Sequence, residues 1–343
     1  MSNDNRNFSY MIARFFRVYL PGERGFSEMT ISSYRDTFKQ FIPFCQNTLG
    51  KVPEKIQMSD FSRDLIIAFL KKLEDDGKSI STRNQRLAAL KCFFKYVQYS
   101  YPEFIDITRA ISCIHIKKQP ETIVNYITVE GVSHILQQPD MRTKRGYRDM
   151  LMLAMMYDTA ARVTEVTEIR IGDIRTTSPS TVVLHGKGSK DRIVPLSSKT
   201  ANLVQAYIEQ AGLDNPSFYD KYLFVNRSGE KLTRAGVAYI LRKYVTAAHK
   251  EFPALIPDLF SPHCMRHSKA MHLLQAGVAI IYIRDFLGHS SIKTTEVYAK
   301  ADSKSKRAAL EAAYCDVLPP ANEFLPSWND DKSLMQFLNS LCK

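Results

Sequence analysis

At 343 residues the chain is longer than one ordinary core organises, so two domains of unequal size are expected. Hydrophobic residues at 45% and charged residues at 24% exclude a disordered or fibrous chain, and a net charge of +12 makes a polyanion, nucleic acid first, the leading partner class. The six cysteines form no CxxC pair and no disulfide spacing, so they read as thiols of a reducing cytosol. The start, MSNDNRNFSY, has no signal-peptide pattern, and no run approaches about eighteen apolar residues, so neither secretion nor a membrane partner is expected.

In chain order, amphipathic helices are expected over 8–19, 30–49, 61–75 and 81–100, which makes this half all-helical. The fourth opens at Ser81. It carries Thr82, Arg83, Arg86, Lys91 and Lys95 around an apolar stripe of Leu87, Leu90, Phe93, Phe94 and Val97, with no acid from Ser81 to Val97. One face packs, and the basic face suits a phosphate backbone. The residues KKQPETIVN, with Pro120 and no periodicity, mark a linker. The expected division is a helical DNA-binding domain over 1–118, a linker over 119–127, a second domain over 128–318 and a tail over 319–343. In the second domain helices are expected over 128–138, 143–159 and 162–169. A β-hairpin follows over 181–196 around Gly-Lys-Gly-Ser-Lys, and helices resume over 197–211, 233–249, 262–275, 280–286 and 292–300. Beyond Pro319-Pro320, Leu334, Phe337, Leu338 and Leu341 form an apolar stripe at helical spacing that either joins the core or docks on another copy.

Four short stretches carry the candidate chemistry. Ser261 is a good N-cap and Pro262 suits the first helical position, so His263 and Arg266, three apart, share a face near a positive helix end. Gly288 ends the next helix as a C-cap, and Ser291 can start the helix that carries Tyr298, so a short turn joins His289 to Tyr298. Lys187 sits between two glycines at the hairpin tip, where the loop can approach a ligand closely. Arg162 and Glu165, three apart at a helix start, can pair so that the arginine is held in place. His263 and His267, four apart, lack the Glu or Cys partners of a zinc site, so no metal is expected. Any one of seventeen tyrosines is by itself a packing residue. The ordered set is what distinguishes Tyr298.

That set resembles the tyrosine recombinase (lambda-integrase-like) family, especially its compact Xer-type members and the integrases and transposases of mobile elements. Its motifs run as an arginine before a serine-glutamate helix, a hairpin lysine, His-x-x-Arg-His, Leu-Gly-His and a tyrosine nine residues on. Arg162, Lys187, His263 with Arg266, His289 and Tyr298 stand in that order across roughly 128–310. The departures are Ala160-Ala161 for the usual Gly-Leu and Thr164 for the usual Ser. The N-terminal half is similar only in helical character and in the Ser81-Thr82-Arg83 helix.

The resemblance implies a mainly α fold with a small β-hairpin or sheet in the catalytic domain, arranged as a two-domain C-shaped DNA clamp. It implies a site-specific recombinase that breaks and rejoins DNA through a 3′-phosphotyrosine on Tyr298, without ATP, metal or cofactor. Arg162 and Arg266 would hold the phosphate, His289 would add a donor, His263 would assist proton transfer at Tyr298, and Lys187 would protonate the leaving oxygen. Glu165 and Asp173 are expected as supports; Thr82, Arg83, Arg86, Lys91, Lys95 and Arg234 are expected on DNA. The implied partners are double-stranded DNA bearing recombination sites and further copies of the chain in a tetramer, in the cytoplasm on the nucleoid of a bacterium or on phage or mobile-element DNA. The alternatives are a type IB topoisomerase and a DNA-binding accessory protein without chemistry.

Overall fold

A computed structural model describes residues 7–119, 124–186, 190–302, 338, 340 and 341. The chain divides into two compact units, 1–122 and 123–343. The fold is mainly α with one small sheet, as the sequence reading has it. Among the described residues no helix is long and apolar enough to cross a membrane.

Among its described residues the first unit has helices and one isolated bridge, between Asn7 and Gln57, and no strand. α1 (Phe8–Arg14) starts on Asn7, whose side chain accepts from the Ser9 N–H, and it runs on as a wider π-helical segment over Phe15–Glu23. α2 (Glu28–Leu49) ends at Gly50, where φ of 66° is easy only for glycine. α3 (Arg63–Asp75), α4 (Ile80–Ser100) and α5 (Ile105–Ser112) follow. The core is aromatic: Phe93 on α4 meets the rings of Phe8, Phe15 and Phe38 edge-on at 5.3–5.7 Å. Each such ring contributes about 1.5–3 kcal/mol by burial alone.

Two expectations change here. α4 is capped by Ser79, whose hydroxyl accepts from the Thr82 N–H, so the helix starts at Ile80 rather than at Ser81. Its basic stripe also splits. Arg83 is only 6% exposed, paired with Glu74 of α3 and bonded to the His115 carbonyl, and Arg86 donates to the Ser33 carbonyl and the Thr37 hydroxyl. Both guanidinium groups tie helices of their own unit together, which removes Arg83 from any groove contact.

In the second unit α6 (Val129–Gln137), α7 (Lys144–Asp158) and α8 (Val163–Glu168) lead into an antiparallel sheet of order β1-β2-β3. The strands are β1 (Ile174–Arg175), β2 (Thr181–Gly186) and β3 (Lys190–Pro195), with Val182 opposite Val194 and Gly186 opposite Lys190. Val182, Leu184 and Val194 turn inward and are almost wholly buried, whereas His185 and Asp191 face out. A residue at 186 with a Cβ would strike the Lys190 carbonyl at 2.5 Å, so the strand pairing itself demands Gly186. α7 is the central helix, burying Leu151, Met152, Leu153, Met155 and Met156. α9 (Ser198–Gln210), α10 (Arg234–Glu251), α11 (Pro262–Gln275), α12 (Ile280–Leu287) and α13 (Lys293–Ala301) complete the described unit.

Residues 124–127, given by sequence to the linker, are stitched to α11. The Ser268 hydroxyl accepts from the Ile127 N–H at 3.1 Å, and His272 Nε2 lies 2.9 Å from the Ile127 carbonyl. Lys187 and nearly all of the 319–343 tail lie outside the described residues.

Candidate active site

Each functional side chain is delivered by an element end. Arg162 is the N-cap of α8; its N–H donates to Glu165 Oε2 at 2.6 Å and its Nη1 to Glu165 Oε1 at 2.7 Å. The preceding turn passes through Ala160 at φ 48°, left-handed backbone that glycine adopts without strain. This is where the resemblance places a glycine.

Ser261 caps α11 and Pro262 opens it, as the spacing predicts, and Arg266 lies one turn in. Arg266 is 4% exposed, with Nη1 on the Ala160 carbonyl at 2.7 Å and Nη2 on the Leu287 carbonyl at 2.6 Å. Burial, with the Arg162 charge, pulls its pKa down to about 10, so it stays cationic at neutral pH. Arg162 Nη2 reaches the next carbonyl, Gly288, at 3.4 Å. The two arginines therefore meet on consecutive carbonyls at the C-terminus of α12, and His289 follows at once. Gly288 has φ 64°, the expected left-handed cap.

His289 is half-buried. Burial first, then Arg266 and Arg162, push its pKa down to about 4, so the ring is neutral near pH 7. Its Nδ1 lies 2.9 Å from the hydroxyl of Thr295, which is fully buried on α13. With that hydroxyl donating to Nδ1, the proton resides on Nε2 and can be given to an anion. Tyr298, one turn beyond Thr295, is 3% exposed; burial raises its pKa while Arg266 and Arg162 act to lower it.

The histidine on the Tyr298 hydroxyl is His267, with Nδ1 at 2.8 Å. His263, expected to assist there, is exposed on the first turn of α11, its ring centroid 6.5 Å from that of His267. The reason is depth along one helix face: four residues further in, the side chain reaches the tyrosine.

Arg192 on β3 joins the site although no sequence motif names it. Its fork is bidentate on Glu165, at 2.7 and 2.8 Å, and its Nε donates to the Phe286 carbonyl at 3.1 Å. Glu165, 2% exposed, thus holds two arginines. Burial works to raise its pKa, but the Arg192 and Arg162 donors prevail and hold it at about 2. Three guanidinium groups act on this pocket against one carboxylate, an excess of positive charge that suits a phosphate.

The remaining predicted residues lie apart from this cluster. Asp173 accepts from the Arg170 N–H at 2.7 Å and meets His185 Nε2 at 3.1 Å, so it supports the base of the hairpin. Thr82 bonds Ser79 at the start of α4; Lys91 is half-buried; Lys95 is exposed, over the Tyr99 ring; and Arg234 is exposed on the first turn of α10. Among the described residues no group of three or more His, Cys, Asp or Glu side chains could hold a metal ion.

Residues 125–305 match the phage integrase family, and residues 12–98 match the phage integrase N-terminal SAM-like domain. A Sinorhizobium fredii protein named as an integrase/recombinase, y4rC, is 34% identical over 332 residues, covering 96% of this chain and 97% of its own. The tyrosine recombinase XerD of Listeria monocytogenes is 29% identical over 286 residues, 82% of this chain and 91% of its own. Among solved structures, the XerH recombinase in a post-cleavage complex with a palindromic difH substrate superposes with a TM-score of 0.65 at 21% identity, covering 84% of this chain and 81% of that one. The Tn1549 transposon integrase bound to circular intermediate DNA gives 0.65 at 16% identity, covering 88% and 99%. Xer recombinases and a transposon integrase thus share the fold, and the first of these relatives shares sequence over almost the whole length. The chain belongs to the phage integrase family, as an enzyme of its tyrosine recombinase branch that acts in site-specific DNA recombination.

Proposed function

We propose that the chain cuts and rejoins duplex DNA at specific sites, with Tyr298 as the nucleophile and a 3′-phosphotyrosine as the intermediate. The observation that carries this reading is the meeting of Arg162 and Arg266 on the consecutive carbonyls of Leu287 and Gly288, beside His289 and close enough to bear on the Tyr298 hydroxyl. A phosphodiester resists attack because it is anionic, and a five-coordinate transition state needs fixed donors for its equatorial oxygens. Arg162 and Arg266 supply forks already held by backbone carbonyls and Glu165, so little ordering remains for the transition state. His289 Nε2–H adds a neutral donor. His263, on the N-terminal turn of α11, stands where the helix dipole favours an anion. Lys187, by the resemblance to the family's hairpin lysine, is the proton donor to the 5′ oxygen. The phosphotyrosine preserves the energy of the broken bond, so a 5′-hydroxyl from a partner strand completes the exchange without ATP.

The same reading has the chain work on DNA carrying two paired sites, as a tetramer, in the cytoplasm on chromosomal or mobile-element DNA. Thr82, Lys91, Lys95 and Arg234 contact the backbone, and the apolar stripe from Leu334 to Leu341 docks on a neighbouring copy. The experiment is a nicked suicide duplex bearing a sequence selected by the chain. A protein–DNA adduct that survives denaturation, and is absent in Tyr298→Phe, is expected; its absence in the wild type overturns the reading. Efficient relaxation of plasmids lacking that sequence would make topoisomerase the main role. Unchanged recombination after deletion beyond Pro320 would remove the docking of the tail.

A further inference from the structure

The β2–β3 pair is gripped on both faces at its base. On the inner face Arg192, opposite Leu184, places its fork on Glu165 at 2.7 and 2.8 Å. On the outer face His185 of β2 stands opposite Asp191 of β3, with its Nδ1 3.1 Å from Asp191 Oδ1 and its Nε2 3.1 Å from Asp173 Oδ1. Asp173 closes the short turn Ile171–Asp173 that precedes β1, and its other oxygen accepts from the Arg170 N–H at 2.7 Å. One imidazole therefore ties that turn, β2 and β3 together. In the sequence Gly186 follows it, and Lys187 comes next.

A carboxylate offers only lone pairs, so each ring nitrogen needs a hydrogen to hold its partner. A neutral imidazole has one N–H, and its bare nitrogen then sets a lone pair against a carboxylate oxygen. The imidazolium has two and satisfies both. The charged groups that face the ring are Asp173 from the turn and Asp191 from β3. Behind them Arg170 gives its N–H to Asp173 and its side chain to the Asp220 carbonyl, Arg175 of β1 turns to Thr177, and Glu165 of α8 lies across the sheet with Arg162 and Arg192. Asp173 first, then Asp191, raise the pKa of His185 above the ordinary histidine value, in keeping with a ring that donates from both nitrogens.

We propose that His185 is a positioning residue for Lys187: bonded to Asp173 and Asp191 at once, it fixes the outer face of the strands that deliver the lysine. This rests on the reading of Lys187 as the proton donor. In that step the bond from phosphorus to the 5′ oxygen breaks and its electron pair stays on the oxygen. The oxygen takes one proton from the lysine ammonium, which becomes an amine. Loss of either bond to His185 loosens the delivery of that proton and leaves the arginines and Tyr298 untouched. The pH dependence has a definite sign. A group with a raised folded pKa contributes in full below its unfolded pKa and loses the contribution as pH rises through the folded value. The bridge is therefore complete in mild acid and is lost on the alkaline side.

The test uses the full chain and a nicked duplex carrying the sequence that the wild type selects from a random-sequence library, made with oxygen or with sulfur at the 5′ bridging position of the scissile phosphate. A 5′ thiolate departs without a proton, so a fault in proton delivery disappears on the sulfur substrate and a fault elsewhere in the site does not. Single-turnover adduct formation is followed against pH for wild type, His185→Ala, His185→Arg, Asp191→Ala and Lys187→Ala, with duplex affinity measured for each by gel retardation. In mild acid His185→Ala is expected to be slower than wild type by about 10-fold on oxygen and by less than about 2-fold on sulfur, with affinity unchanged. The gap should narrow as pH rises. Asp191→Ala should behave as His185→Ala does. His185→Arg, whose guanidinium donates at any pH, should keep the rate and flatten that dependence.

Equal rates for His185→Ala and wild type on oxygen in mild acid would overturn the proposal. A loss of the same size on oxygen and on sulfur would overturn it too, since the bridge would then serve the fold or the arginines. Should His185→Ala fail to fold, the decision passes to His185→Arg: a flattened pH dependence sustains the proposal, and an unchanged one overturns it. Lys187→Ala as fast as wild type on oxygen defeats the reading of Lys187 and the proposal with it. A slow Lys187→Ala beside an indifferent His185→Ala overturns the proposal alone.

Discussion

Replacing Glu165 by glutamine keeps the shape of the side chain and removes the carboxylate that holds Arg162 and Arg192. Four donors converge on it within 2.6–2.8 Å, and its side chain is 2% exposed. Breaking a buried ion pair from one side costs about 3–5 kcal/mol. Arg162, 36% exposed, can rehydrate, whereas Arg192, 12% exposed, cannot do so fully, which places the cost near the lower end. The acidity gives a separate route to the figure: from an ordinary 4.5 to about 2 is a difference worth roughly 3 kcal/mol of stability at neutral pH. The sign follows from linkage. A carboxylate with a depressed folded pKa stabilises above its unfolded pKa and loses that contribution as pH falls through its folded pKa. Wild type should exceed Glu165→Gln by about 3 kcal/mol at pH 7, or roughly 6–12 °C in the melting of the second unit. By pH 3 the gap should shrink to roughly half, because the wild-type carboxylate is then giving up its advantage. Urea unfolding at pH 7, 4 and 3 reads the difference directly. A gap below about 1 kcal/mol at pH 7, or one that does not narrow with acid, would refute the view that Glu165 is an ionised strut between the two arginines.

Arg192→Lys keeps the charge and loses both the fork on Glu165 and the bond to the Phe286 carbonyl, so adduct formation should slow by about 10-fold while duplex affinity changes little; equal rates would show that the fork positions nothing. Gly288→Ala places a Cβ 3.1 Å from Arg192 Cδ in left-handed backbone, and should cost about 1–2 kcal/mol in urea unfolding and displace His289; a neutral result would show that the α12 cap yields freely. Thr295→Val is nearly isosteric at a fully buried position, and by leaving His289 Nδ1 without its hydroxyl it should slow cleavage by about 10-fold; an unchanged rate would mean that His289 is held by other contacts. Ala160→Gly relieves a φ of 48° but opens a methyl-sized gap in a fully buried place, so the two effects should nearly cancel, within about 1 kcal/mol; Ala160→Val should be destabilised by more than 2 kcal/mol, and a stable valine variant would deny the strained turn.

The helices of the second unit were legible because their ends are written in residue chemistry. Ser261 with Pro262, Thr143, Thr233 and Gly288 each stand at an element boundary in the structure as in the sequence. α5 escaped because eight residues after Pro102 give barely two turns of periodicity, and β1 because two residues give none. Arg83 illustrates a different limit. The run from Ser81 to Val97 shows a basic face, but whether a guanidinium on it meets solvent or a carboxylate depends on Glu74, which α3 brings against α4. Charge on a helix is local information, and its partner is not.

The same distinction separates the parts of the site that sequence reveals from those it does not. Arg162, Arg266, His289 and Tyr298 stand in the ordered motifs on which the resemblance rests, each a few residues from a cap or a turn. Arg192 and Thr295 act across the fold, on Glu165 and His289, and nothing in their own neighbourhoods marks them; His267 closes the His-x-x-Arg-His motif, but its contact with Tyr298 is not written there. His263 and His267 show how narrow the margin is: spacing puts both on one face of α11, and only depth decides which reaches the hydroxyl. On a helix entering a core at its N-terminus, the side chain one turn further in lies about 5–6 Å deeper, two hydrogen-bond lengths. A motif that fixes residue order therefore leaves undecided which of two histidines meets the tyrosine hydroxyl until the opposing helix is in place. In this chain it is α13 that decides, by presenting Tyr298 to the second of them.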